Sequence, residues 1–209
     1  MIPGQQPVRK ISKISIILII VCTCVTLASI GFGCYSMGYK HSRKIAVDFT
    51  IEGFTKDERE PKYKFIPAEF SNYICDMCEG LKMDSDKAIA HLMVENPSFD
   101  PTAIHTNLNG TIDQGLFQLN DRSVWTSFVK MYWFENIEFD PFNWKHNTYL
   151  ALHHMKYLED KFKIEDDAIM AYNCGEGNVM NGTIPASTIA YLAKVKNNLF
   201  LLKGDNNVQ

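Results

Sequence analysis

The feature that most constrains this chain is the run from Ile14 to Tyr39, which contains no charged residue. As a tilted helix, a run of that length can cross a lipid bilayer. A cleaved signal peptide is the alternative, because Gly31-Phe32-Gly33 offers a small-x-small site, but the apolar part of a signal peptide is usually shorter. We therefore expect a single transmembrane helix, or an uncleaved signal, over residues 14–39.

This segment divides the chain into five parts. We expect a cytoplasmic tail at 1–13, the anchor at 14–39, a juxtamembrane linker at 40–64, a folded domain at 65–203 and a short tail at 204–209. Basic residues flank the anchor on both sides, so the positive-inside rule gives almost no preference for its orientation.

Charge is distributed unevenly along the sequence. Residues 1–44 carry six Lys or Arg and no acidic residue, which leaves 15 basic and 24 acidic residues in 45–209, a net charge of −9. An acidic domain argues against nucleic acid as a partner, because phosphate binding depends on Lys and Arg. A long anionic polymer would have to be held by a shaped groove rather than by charge.

Apolar residues at three- and four-residue spacing predict a mainly α-helical domain. The first helix is predicted from Ile66 to Leu81. The second begins after the helix cap at Asp84 and runs to about Glu95, because Pro97 cannot continue it.

A stretch at 97–120 that is rich in Asn, Gly, Thr, Asp and Pro interrupts the helical pattern. Its Asn109-Gly110 pair is a strong turn signal, which predicts a compact loop or a short hairpin. Further helices are expected near residues 121–137, 142–162, 164–173 and 186–202.

Cysteine and histidine residues do not form a recognisable metal site in the sequence. Cys75 and Cys78 lie one turn apart on the first predicted helix, and no second pair with zinc-ligand spacing follows. Adjacent His153 and His154 would face different sides of a helix, and His91 is interpreted as a surface or satisfied core group. We therefore expect no metal and no cofactor.

Glu95 closes the apolar face of the second predicted helix, directly after Leu92, Met93 and Val94. Apolar surroundings raise the pKa of a carboxyl, because burial disfavours its charged form. A glutamic acid that stays protonated near neutral pH can donate a proton to a glycosidic oxygen. The alternative is an ordinary surface glutamate at the end of a helix.

Three motifs follow in order from Glu95. They are Glu95-Asn-Pro-Ser-Phe-Asp-Pro-Thr-Ala103 leading to Asp113-Gln-Gly-Leu-Phe-Gln-Leu-Asn120, then Ala171-Tyr-Asn-Cys-Gly-Glu-Gly177, then Ile184-Pro-Ala-Ser-Thr-Ile-Ala-Tyr191. Together they resemble the soluble lytic transglycosylase family and its lysozyme-like relatives, over roughly 66–197. The resemblance implies a lysozyme-like α+β domain, mainly α, with a small polar loop or hairpin lobe.

The resemblance also implies roles for individual side chains. Glu95 is the catalytic acid/base, and Tyr172 leans on its carboxyl and orients it, with Tyr191 close by. Gln118 and the backbone around Phe117 line a saccharide groove. The residues implied for substrate binding are Gln118, Phe117, Tyr172, Asn173 and Tyr191.

The segment after Glu95 departs from the family pattern at two positions. Asn96 stands where the family usually has serine, and Phe99 falls four places after Glu95 instead of three. One residue is therefore inserted in this turn, which changes the local hydrogen bonding expected around Glu95.

Asp113 is a candidate second carboxylate. The run Asn109-Gly-Thr-x-Asp113-x-Gly115 resembles animal-type lysozymes, in which the second catalytic carboxylate occupies this position. The alternative is an aspartate that only caps a turn, a common role for this residue type.

The resemblance implies a lytic transglycosylase that cleaves the bond between N-acetylmuramic acid and N-acetylglucosamine and leaves 1,6-anhydro ends. Two alternatives remain: a hydrolytic lysozyme that uses Glu95 and Asp113, and a non-catalytic adaptor that binds peptidoglycan. Because peptidoglycan lies outside the cytoplasm, we expect the domain on the periplasmic side of a bacterial inner membrane. Secretion or flagellar machinery is a candidate partner.

Overall fold

The computed structural model describes residues 59–122, 127, 129–130 and 138–205. The predicted tail at 1–13, the predicted anchor at 14–39 and most of the predicted linker lie outside these residues. Within the part of the chain that is described, no helix is long and apolar enough to span a membrane.

The first two helices follow the apolar spacing of the sequence. Helix α1 spans Ala68–Leu81 and ends where Lys82 adopts the left-handed conformation. It begins two residues later than predicted, because Pro67 occupies the N-cap position. Helix α2 spans Ser85–Glu95, as predicted, and the side chain of Asp84 caps it by accepting the Asp86 N–H at 2.9 Å.

A small antiparallel sheet occupies the polar stretch after α2. Strands β1 (Ile104–Thr106), β2 (Ile112–Gln114) and β3 (Leu119–Asn120) pair in that order. The hairpin between β1 and β2 confirms the prediction from Asn109-Gly110. The third strand was not predicted, because two residues are too few to show an alternating pattern.

Helices again follow the sheet. They are α3 (Trp144–Phe162), α4 (Glu165–Cys174), α5 (Glu176–Met180) and α6 (Ala186–Asp205). The helices predicted near 142–162, 164–173 and 186–202 agree with α3, α4 and α6 within a few residues, whereas the short helix α5 was not predicted. Of the helix expected near 121–137, only 121, 122, 127, 129 and 130 are described, and 127, 129 and 130 are helical.

The helices bury a common apolar core that holds α2 in place. Helix α2 packs against α1 and α6, while α3 packs against α1 and α4. Ile89 and Leu92 of α2 are fully buried, so the helix end that carries Glu95 is fixed from behind.

A buried amide joins the sheet to α3. The Asn147 side chain of α3 accepts the Phe117 N–H at 2.7 Å and donates to Gln114 O at 2.9 Å. Gly115 lies between these two contacts with a φ of +77°. An added Cβ there would collide with the Pro141 carbonyl and the Asn147 amide, so only glycine fits this junction.

Gly115→Ala is therefore expected to lower the free energy of unfolding by about 2–4 kcal/mol, because steric overlap adds to the unfavourable backbone conformation. Urea denaturation measures the change. Gly110→Ala is the matched control: its φ is also positive, but its Cβ would meet no atom within 4 Å, so a loss of about 1 kcal/mol is expected. Equal losses in the two variants would contradict the proposed collision.

Candidate active site

A groove of about 1200 Å³ lies between the sheet and the helices α3 and α4. The sheet side contributes mainly uncharged polar residues, among them Thr106, Asn107 and Asn120. The helical side contributes His154, Tyr157, Tyr172 and Glu176. A lining that contains both polar groups and aromatic rings suits a carbohydrate, which offers hydroxyl groups and apolar ring faces.

Glu95 reaches this groove from the C-terminal end of α2. Its side chain is half-buried, and Tyr191 of α6 donates a hydrogen bond of 2.6 Å to its Oε1. Burial raises the pKa of Glu95 to about 7, the Tyr191 hydrogen bond opposes this shift, and the charge of Asp113 adds to it. The carboxyl can therefore release a proton near neutral pH and take one back afterwards.

Asp113 of β2 lies in the same groove and is held by two amides. Its Oδ2 accepts from the Asn107 side chain at 2.8 Å, and its Oδ1 accepts from the Asn120 side chain at 2.7 Å. These partners hold the carboxylate in one orientation, because both of its oxygen atoms are engaged. The sequence analysis assigned no role to either asparagine, although they lie only six residues before and seven residues after Asp113.

The two tyrosines predicted near Glu95 differ in their contacts. Tyr191 makes the hydrogen bond to the Glu95 carboxyl, whereas the Tyr172 hydroxyl donates to Phe117 O at 3.2 Å. Tyr172 lines the groove, and Tyr191 is almost completely buried beneath it. The expected orienting contact is therefore made by Tyr191, since α6 brings it directly behind the carboxyl.

The other predicted substrate-binding residues lie at different depths. Phe117 is fully buried, so its side chain supports the groove from below. Gln118 lines the groove with a φ of +48°, and its amide nitrogen donates to Ala103 O and Gly115 O. Its amide oxygen therefore remains as the acceptor for a ligand.

Asn173 lies at the exposed edge of the groove. Its side-chain oxygen accepts a hydrogen bond of 2.8 Å from the Thr188 hydroxyl. This bond ties the end of α4 to the start of α6, so the Ala171–Gly177 and Ile184–Tyr191 motifs meet beside Glu95. The amide nitrogen of Asn173 is the atom that could contact a ligand.

Asn96 organises the turn that follows Glu95. Its side chain is buried, donates to Asp100 O at 2.7 Å and accepts from the Ser98 hydroxyl at 2.8 Å. The extra residue in this turn is accommodated by Phe99, which adopts a positive φ of +54°. The two departures from the family pattern thus reshape the turn, while Glu95 keeps its place at the helix end.

His91, interpreted from sequence as a surface or satisfied core group, is buried one turn before Glu95. Its Nδ1 lies 2.8 Å from the Tyr191 hydroxyl. No local sequence signal links these two residues, because they belong to α2 and α6. Among the described residues, no group of three or more His, Cys, Asp or Glu side chains is placed to hold a metal ion, and Cys75, Cys78 and Cys174 are free thiols.

A mainly helical domain with a small sheet, and with a half-buried glutamic acid in a glycan-sized groove, has the architecture of a lysozyme-like enzyme. Residues 79–186, just over half of the chain, match the family model of the transglycosylase SLT domain. The chain therefore belongs to this family, and the family predicted from sequence is confirmed. No curated protein and no solved structure shows a match.

Members of the family are lytic transglycosylases that act on peptidoglycan. The chain is accordingly an enzyme of peptidoglycan cleavage rather than a wall-binding adaptor without activity. The match begins within α1 and ends at the start of α6, so it covers Glu95, the sheet and the Ala171–Gly177 motif. Tyr191 lies just beyond it.

Proposed function

We propose that this lytic transglycosylase cleaves the β-1,4 bond between N-acetylmuramic acid and N-acetylglucosamine and leaves 1,6-anhydro ends, with Glu95 as its acid/base. The observation that carries the proposal is the Glu95 carboxyl in the groove, with a pKa raised to about 7 and a hydrogen bond to Tyr191. A group with such a pKa can act as acid and then as base at the same pH.

The reaction requires two proton transfers at one carboxyl. Protonated Glu95 donates its proton to the glycosidic oxygen, the bond from that oxygen to C1 breaks, and N-acetylglucosamine leaves with the proton. The Glu95 carboxylate then accepts the proton of the muramoyl 6-hydroxyl, and O6 forms a bond to C1. Tyr191 occupies Oε1, which leaves Oε2 for both transfers.

Hydrolysis is a second candidate function, and the arrangement of Asp113 favours it. Asn107 and Asn120 hold this carboxylate in the groove, where a negative charge stabilises a cationic sugar at C1. A water molecule would then attack C1 in place of O6. Both candidates use Glu95 as the acid, but they differ in the nucleophile that attacks C1 and in how far they depend on Asp113.

Mass spectrometry of the sugars released from purified peptidoglycan by the full chain in detergent tests the proposal. Muramoyl ends that lack one water relative to the hydrolysis product are expected. Muramoyl products with free reducing ends would instead establish a hydrolase. A mixture of the two would show that water competes with O6 at C1, and its ratio would measure that competition.

The activity is expected to fall as the pH rises through about 7, because cleavage begins with protonated Glu95, whose pKa burial raises to that value. The alkaline limb of kcat/KM against pH, measured with soluble glycan strands, reports this pKa. A limb near the ordinary glutamate pKa of about 4.3 would contradict the assignment of Glu95.

We further propose that residues 14–39 anchor the enzyme in a bacterial inner membrane with the catalytic domain on the periplasmic side. The absence of charge from this segment and the location of peptidoglycan support the proposal. Secretion or flagellar machinery remains the proposed partner. Membrane fractionation with protease added to intact spheroplasts tests the topology, since a protected catalytic domain would contradict it.

A further inference from the structure

A chain of two short hydrogen bonds connects α2, α6 and the catalytic carboxyl. His91 Nδ1 lies 2.8 Å from the Tyr191 hydroxyl, and the same hydroxyl lies 2.6 Å from Glu95 Oε1. Both ends of the chain belong to α2, where they are one helical turn apart and lie on the same face. Tyr191 therefore bridges two side chains of one rigid helix.

The number of protons available to His91, Tyr191 and Glu95 restricts the directions of the two hydrogen bonds between them. The Tyr191 hydroxyl has one proton, and when it donates this proton to Glu95 its remaining contact must be an acceptor contact. His91 Nδ1 must then carry a proton and donate it to Tyr191. Since burial lowers the pKa of His91 to about 3, the imidazole is neutral, and its single proton is placed on Nδ1.

A His91 imidazole with its proton on Nε2 would reverse the direction of the hydrogen bond between His91 and Tyr191. Unprotonated Nδ1 would accept the Tyr191 proton, and the tyrosine oxygen would then face Glu95 Oε1 without a proton between them. That contact is favourable only when Oε1 itself is protonated, which would place the catalytic proton on the oxygen that already contacts Tyr191. The tyrosine oxygen would repel an ionised Glu95 carboxylate.

We propose that His91 is a positioning residue, which keeps the Tyr191 proton directed at Glu95 Oε1 and thereby leaves the catalytic proton on Oε2. The inference rests on the proposed role of Glu95 as acid/base. It adds a residue that acts on the reaction through Tyr191, without contact with the substrate.

The surroundings of His91 favour the neutral imidazole that this arrangement requires. The Tyr172 ring of α4 packs edge-on against the imidazole, with 5.1 Å between ring centroids. His91 also lines a small cavity with Lys87, Glu159 and Glu165, in which Lys87 makes ion pairs of 3.3 Å with both glutamates. The charges of Lys87 and of neighbouring His154 on α3 disfavour a protonated His91.

Three substitutions separate a positioning role from simple core packing. His91→Leu removes the donor. His91→Asn keeps an N–H near the Nδ1 position, and His91→Gln places its amide near the Nε2 position instead. The matched pair of amides controls for polarity and approximate size, and it remains informative where the leucine variant fails to fold.

His91→Leu and His91→Gln are expected to lower kcat about threefold to tenfold with little change in KM, because a hydrogen bond to the ionising carboxyl is weakened. The alkaline limb of the pH profile should move upward by up to about one unit, since the Tyr191 bond holds the pKa of Glu95 down. His91→Asn should leave kcat and the position of the alkaline limb close to their wild-type values. In a Tyr191→Phe background, none of the three changes should move the limb further.

The proposal would be overturned if His91→Leu or His91→Gln shifted the alkaline limb by the same amount in the Tyr191→Phe background as in the wild type. It would also be overturned if neither substitution shifted the limb in the wild-type background. Heteronuclear NMR of the imidazole nitrogens provides a readout that does not depend on activity. A protonated Nδ1 in the resting enzyme is expected, and a protonated Nε2 would overturn the proposal. Activity that survives in Glu95→Gln would instead refute the proposed function, and the NMR result would still decide the tautomer.

Discussion

Glu95→Gln is expected to lower kcat by about 10³–10⁴, because the amide can neither protonate the glycosidic oxygen nor accept the proton of the 6-hydroxyl. Binding should persist, since the glutamine has the same size and can still accept the Tyr191 hydrogen bond. Release of soluble sugars from peptidoglycan measures turnover, and co-sedimentation with insoluble peptidoglycan measures binding.

Glu176→Gln is the matched control for this experiment. Glu176 also lines the groove, but it pairs with Lys161 at 2.7 Å, and this ion pair lowers its pKa. A carboxyl that is already ionised cannot act as the acid, so at most a small loss of activity is expected. A loss of activity in Glu176→Gln as large as that in Glu95→Gln would show that the groove contains a different catalytic acid.

Asp113→Asn is expected to lower kcat by about 10–100-fold, because the groove loses the negative charge that stabilises the cationic sugar. It should also move the alkaline limb of the pH profile downward. The charge of Asp113 raises the pKa of Glu95, so its removal lets the Glu95 proton leave at a lower pH. Kinetics on soluble glycan strands across this pH range measure both effects.

Asp121→Asn controls for disturbance of the sheet, because Asp121 accepts the Ile112 N–H at 3.0 Å on the same lobe. Its pH profile should match that of the wild type. An upward shift of the limb in Asp113→Asn would contradict the electrostatic coupling. A change from anhydro to reducing products, or the reverse, would show that Asp113 selects the nucleophile.

The helices and the catalytic glutamate could be predicted because their signals are local. The apolar residues that predict α1 and α2 all belong to the helix that they predict, and the Asn109-Gly110 pair lies in the turn of the hairpin that it predicts. The motifs around Glu95 and Tyr172 are contiguous in sequence. These signals predicted the mainly helical fold and the groove position of Glu95.

The hydrogen-bond partners could not be predicted, because they depend on how distant helices pack. Tyr191 reaches Glu95 only because α6 lies against α2, and the same packing buries His91 beneath the carboxyl. The pattern of apolar residues says which face of a helix is buried but not which residue it meets. For that reason Tyr172 was expected at the contact that Tyr191 makes.

Helix α6 also has a consequence for the order in which the site is assembled. It follows every other helix of the described residues, and its Tyr191 makes the only hydrogen bond found there on the Glu95 side chain. A nascent chain that has emerged only through α4 already contains Glu95 and the whole sheet, but its carboxyl lacks this donor. In a chain that folds as it is synthesised, the Glu95 carboxyl therefore gains this hydrogen-bond donor only when α6 packs against α2.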